Sequence, residues 1–167
     1  YAVDEAKRDY ERALLIRPNY PEALNNLGAA YFEQKNYKKA ITLYRHAQKL
    51  MPGSAVIAAN LGTAYFARSE YKPGMAAYRA AFALDPHVFD EDSVAIHGAT
   101  SPADRAQQDY CLAELFAQAG MKESAIDFLR KAFDEGFHDH NRLMQDADFA
   151  QLRKTADFAH LMASQKN

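Results

Sequence analysis

The chain holds a single cysteine, Cys111, among its 167 residues. An internal disulfide or a thiolate metal cluster needs more than one, so both are excluded. The reading left for Cys111 is a small, buried apolar side chain. No apolar run reaches the roughly 18 residues needed to cross a bilayer. Neither sign of charge dominates: Lys and Arg number 20, Asp and Glu 22, for a formal charge of −2. Nucleic acid demands clustered Lys and Arg, so neither nucleic acid nor membrane is an expected partner. There is no glycine-rich phosphate loop and no nucleophile elbow. The run Asp90-Glu91-Asp92 lacks the spacing of a calcium loop. No signal peptide is seen, and Tyr1 stands where an initiator Met would, so the natural start is expected upstream and the compartment stays open.

What is present is a repeat. Leu24-Asn25-Asn26-Leu27-Gly28-Ala29-Ala30-Tyr31-Phe32 aligns with Ala58-Ala59-Asn60-Leu61-Gly62-Thr63-Ala64-Tyr65-Phe66 at an offset of 34. The same offset carries Tyr37 to Tyr71, Tyr44 to Tyr78, Ala47 to Ala81 and Pro52 to Pro86; backwards, it carries Ala40 to Ala6, Tyr44 to Tyr10 and Ala47 to Ala13. A third copy follows at 51, one period plus 17, with Leu61 mapping to Leu112, Tyr65 to Phe116 and Ala81 to Ala132. A fixed period of this length marks stacked supersecondary units.

Each copy reads as two helices. Leu24, Leu27 and Tyr31 form one apolar stripe; Ala40, Leu43, Tyr44 and Ala47 form the next, which Pro52 stops. A glycine inside a helix costs about 1 kcal/mol against alanine, so Gly28 and Gly62 at one register imply close helix packing. Gly74 stands where Ala40 predicts alanine, just after Pro73, and predicts a late start for that helix.

These residues (Leu27-Gly28, Tyr31, Ala40, Tyr44, Ala47, Pro52 and their partners Leu61-Gly62, Tyr65, Tyr78, Ala81, Pro86) resemble the tetratricopeptide repeat. The third copy departs from it, with Ala113 for the glycine and Phe137 for the closing proline. The resemblance implies an all-α, right-handed helical-hairpin solenoid of antiparallel helix pairs with a short C-terminal helical cap, the C-terminal part of a longer array. The expected division is 1–20, the second helix of a truncated repeat; 21–54 and 55–88, two repeats; 89–105, an insertion loop; 106–140, a diverged repeat; and 141–167, the capping helices. The tail repeats Ala147-Asp148-Phe149-Ala150-Gln151-Leu152 nine residues later as Ala156-Asp157-Phe158-Ala159-His160-Leu161, each copy reading as a short helix. It is similar to the C-terminal ends of some bacterial tetratricopeptide proteins.

The insertion also carries Val88, Phe89, Val94 and Ile96, of which Val88 and Phe89 either pack back on the array or close over a groove. Ser101-Pro102-Ala103-Asp104 starts a long helix, about 102–119. At the front, Ala6, Tyr10, Ala13 and Leu14 form a stripe expected to face solvent and to find a cover, self-association included. His138-Asp139-His140 is too poor in ligands for a metal site and reads as a polar turn. No metal, cofactor or catalytic constellation is expected, and the chain is not expected to be an enzyme.

The family likeness implies a protein or peptide partner on the concave face lined by first helices. The residues placed there are Asn25, Ala29, Phe32 and Glu33, then Ala59, Asn60, Thr63 and Phe66, then Tyr110 and Glu114. Core packing is the competing reading for Phe32 and Phe66. A chaperone-tail carboxylate clamp is not expected: Asn60 matches it, but Asn25, Gln107 and Cys111 replace its basic residues, and Glu33 and Glu114 would repel its ligand. The expected function is a protein-interaction scaffold; the alternative is an accessory or regulatory domain of a larger protein that contacts its own chain or a second copy.

Overall fold

The computed structural model describes residues 2–90 and 101–165. It is an all-α helical-hairpin repeat fold, with no strand among the described residues. The chain divides into two units, Tyr1–Thr100 and Ser101–Asn167.

The first unit contains α1 (Ala2–Ile16), α2 (Pro21–Glu33), α3 (Tyr37–Leu50), α4 (Ala55–Phe66) and α5 (Tyr71–Leu84). Helix starts follow local chemistry. Pro21 opens α2, Asn36 Oδ1 accepts from the Lys39 amide at α3, and Ser54 Oγ accepts from the Ile57 amide at α4. Turns between paired helices are tight, with Lys35 (φ 59°) and Ser69 (φ 57°) left-handed at one register.

The glycines set how near the helices come. An alanine methyl at Gly28 would lie 2.7 Å from Tyr44 Cε1; one at Gly62 would lie 2.3 Å from Tyr78 Cδ1. Tyr44 and Tyr78 are the fully buried rings that fill the space so opened. The expected late start of the next helix does not occur: α5 begins at Tyr71, the register at which α3 begins at Tyr37. Pro73 sits in the first turn, where amides have no partner within the helix, so it costs no hydrogen bond. Gly74 is explained by proximity, since a methyl there would meet the Phe66 ring at 3.0 Å.

The front of the unit also differs from expectation. Tyr10 and Leu14 are half-buried and pack on the cores of α2 and α3, while Leu15 and Ile16 are the exposed apolar residues, at 84% and 82%. Helix α1 lies on α2, and that contact turns the Tyr10 stripe inward. After α5, a 3-10 turn at Pro86–Phe89 folds Val88 and Phe89 back into the unit. The Phe89 ring meets Tyr78 edge-on at 4.9 Å and stacks near Phe82 at 6.5 Å. Val94, Ile96 and most of the expected insertion lie outside the described residues.

The second unit contains α6 (Pro102–Gln118), α7 (Lys122–Asp134), α8 (His140–Gln145) and α9 (Ala156–Ser164). Ser101 caps the long α6 by accepting from the Asp104 amide. Its core stacks Phe116 on Phe128 and Tyr110 on Phe137, with Phe149 edge-on to Tyr110. Of the two tail copies, only the second is an α-helix. The first forms 3-10 turns at Ala147–Phe149 and Leu152–Lys154. Asp146 caps the first turn, and Arg153 holds the bend by donating to the Leu143 and Asp146 carbonyls. Phe149, Leu152, Phe158 and Leu161 are all buried.

Candidate functional site

Helix α2 turns Leu24, Leu27, Gly28 and Tyr31 inward, which leaves Asn25, Asn26, Ala29 and Glu33 on its outer side. With Val3, Ala6 and Tyr10 of α1, the residues Asn26, Ala29 and Glu33 line an open cavity of about 350 Å³. Its lining is mostly small and apolar, with the Tyr10 ring, an amide and a carboxylate among it. The Asn25 carbonyl oxygen accepts from the Asn60 amide at 3.0 Å, so α2 and α4 are joined across this face. Asn25 in turn donates to Asn26 at 3.3 Å.

Of the residues expected in the groove, Asn25, Ala29 and Glu33 are accessible. Ala59, Asn60 and Thr63 are buried, because α4 is enclosed along nearly its whole length. Phe32 and Phe66 are core residues. Phe66 is fully buried and packs on Tyr78, Tyr71 and Gly74, while Phe32 packs on Tyr37. The tight α2–α3 and α4–α5 approaches claim both rings for the hairpins.

Tyr110 and Glu114 are also buried, within the second unit. They belong to a polar cluster that spacing along the chain did not reveal. The Arg142 guanidinium lies over the Tyr110 ring at 4.1 Å and donates to Glu114 Oε1 at 3.2 Å and Gln107 Oε1 at 3.1 Å. The Tyr110 hydroxyl donates to Asp146 Oδ2 at 2.9 Å, and Gln118 donates to Asp148 at 2.8 Å. Oxygens of Glu114, Asp146 and Asp148 lie within 4.8 Å of one another. Burial, then Asp146, pushes the Glu114 carboxyl up to about 7, against the pull of Arg142. The contacts of this group are an ion pair and charge-assisted hydrogen bonds.

The His138-Asp139-His140 segment is the cap of α8. Asp139 accepts from the Arg142 amide, and the His140 ring stacks on Phe133. Cys111 is buried and accepts a hydrogen bond from Gln107 at 3.4 Å.

Comparison with known proteins gives two family matches: a tetratricopeptide repeat model at residues 21–54 and a TPR repeat model at residues 2–35. An uncharacterized protein ycf37 of Pyropia yezoensis is 59% identical over 39 residues, which make up 23% of this chain. The match spans 22% of that relative's own length. Among solved structures, one described as the crystal structure of MamA is similar at TM-score 0.53 and 18% identity, covering 80% of this chain and 68% of its own. The MamA RS-1 ArsTM double mutant is similar at TM-score 0.54 and 21% identity, covering 98% and 86%. At these identities the likeness is one of fold. No described helix is long and apolar enough to cross a membrane.

Proposed function

We propose that the chain, which carries tetratricopeptide repeats over residues 2–54, is a protein-interaction scaffold that holds a segment of a partner protein against the outer side of α2. The observation that carries this reading is the accessible row of Asn25, Ala29 and Glu33 beside the cavity shared with Val3, Ala6 and Tyr10. Small side chains there let a partner backbone approach closely, and an asparagine amide both donates to and accepts from a peptide. Aromatic area for anchoring comes from Tyr10. The face is built on helices and not on loops, which lowers the ordering cost of binding.

A photo-crosslinking residue at Ala29, compared with one at the exposed outer residue Arg45, tests this. Ala29 is expected to yield a partner adduct that Asn25→Ala plus Glu33→Lys abolishes, while Arg45 yields none. Adducts formed equally from both positions, or unchanged by the double substitution, would remove α2 as the binding face.

Exposed Leu15 and Ile16 favour a second contact, in which α1 meets another copy or another part of a larger protein. Sedimentation of the Leu15→Glu plus Ile16→Glu chain at rising concentration tests it. An association unaffected by the two charges would rule out this end of α1.

A further inference from the structure

The polar cluster of the second unit fastens α6 to the segment that begins with α8. Every link runs between those two parts of the chain: Arg142 to Glu114 and Gln107, Tyr110 to Asp146, and Gln118 to Asp148. The charges in it do not balance. Three carboxylates have oxygens within 4.8 Å of one another, and Arg142 brings one positive charge to them. Arg153 contributes to the backbone, donating to the Asp146 and Leu143 carbonyls. On α7, Lys131 and Glu135 act on Asp109, and Glu135 pairs with Arg105 at 2.7 Å; the charges acting on Glu114 are Asp146 and Arg142. Carboxylates this close, with one of them 8% exposed, do not all ionise together.

The proton's place follows from the donors. Asp146 already accepts from the Tyr110 hydroxyl at 2.9 Å. Glu114 is the more buried partner, so the neutral acid belongs there.

We infer that Glu114 and Asp146 form a proton-operated clasp: with one proton shared between them the α8 segment is held on α6, and when that proton leaves the segment is released. Protonated Glu114 donates to Asp146 while its other oxygen accepts from Arg142. Ionised Glu114 instead faces the like charge of Asp146 and pushes the segment away. The folded chain holds this proton more tightly than the unfolded chain does, so the clasp is complete at acid pH and is lost as pH rises through about 7. The device links the pH around the protein to the exposure of the α6 face that carries Tyr110 and Gln107.

The test uses the whole chain with carbon-13-labelled carboxyls, together with amide hydrogen exchange across residues 139–149. The Glu114 carboxyl is expected to titrate near neutrality. Protection in 139–149, corrected for intrinsic exchange, should fall at least ~10-fold between pH 6 and pH 8.5. Glu114→Gln keeps a donor to Asp146 and an acceptor for Arg142, and should retain the acid-pH protection at pH 8.5. Asp146→Asn removes one charge from the other side and should flatten the profile too, which serves if the first variant folds poorly. A Glu114 carboxyl titrating with the exposed glutamates, or protection that is level across this range in the unsubstituted chain, would overturn the clasp. So would an unchanged pH profile in both variants.

Discussion

The Tyr78 hydroxyl lies 2.8 Å from Thr63 Oγ1, deep in the second repeat. One period earlier, Ala29 takes the place of Thr63, and the Tyr44 hydroxyl is buried with no hydrogen-bond partner. Burial, with Glu33 adding to it, raises the Tyr44 pKa, so the orphan stays a neutral phenol at all working pH.

Restoring the partner should stabilise the fold. Thr and Val share size and β-branching, so Ala29→Thr against Ala29→Val isolates the hydroxyl. The threonine chain is expected to be more stable by about 1 kcal/mol in chemical unfolding. Thr63→Val, which removes this hydrogen bond to Tyr78, is expected to cost about 1–3 kcal/mol. Equal stability of the two Ala29 variants would show that Tyr44 is out of reach of that position.

The two helix glycines should differ in cost. An added methyl at Gly62 meets Tyr78 at 2.3 and 2.6 Å and the Gly74 carbonyl oxygen at 3.2 Å. At Gly28 the nearest atoms are Tyr44 ring carbons at 2.7 and 2.9 Å. Both rings are fully buried, so both alanine substitutions are expected to destabilise, by about 1–3 kcal/mol. Gly62→Ala is expected to be the worse of the two, because backbone opposes it as well. Thermal melts of the two variants decide the order.

Asp109 gives a separate pH dependence. Burial pushes its carboxyl up to about 7; Lys131 pulls it down, Glu135 pushes it up and Arg105 pulls it down again. A carboxyl raised in the folded state binds its proton there while the unfolded chain has lost it. Stability from this group is therefore full below the unfolded carboxyl range and declines as pH rises to about 7. Asp109→Asn should match the unsubstituted chain at pH 4 and exceed it at pH 8 in melting temperature. A variant that is less stable at pH 8 would reverse the sign and refute the assignment.

Cys111 reports on opening of the second unit. It is 4% exposed, so a thiol reagent reaches it only when α6 comes free. Labelling of the native chain is expected to be at least ~100-fold slower than of the chain in denaturant. Rapid native labelling would mean that α6 opens easily.

Much of this was legible along the chain. The 34-residue register marked Gly28 and Gly62 as points of close helix packing, and the fold decided that Tyr44 and Tyr78 are the rings opposite them. Ser101, Pro102 and Asp104 located the start of α6 through capping rules that act within one turn. Periodicity did not assign Phe32 and Phe66 to the core, since their helical angle lies between the two faces. Pro73 misled for a simple reason: it forbids a hydrogen bond only beyond the first turn.

The pattern of side-chain sizes by itself determined the helix pairs and their stacking, because those contacts repeat at a fixed stride and follow from steric fit. Tertiary structure alone decided the pairing of Asn25 with Asn60, the missing partner of Tyr44, and the meeting of Glu114 with Arg142 and Asp146. Those residues are distant in sequence and follow no period. Burial and charge act on them through space, and only the folded chain fixes those distances.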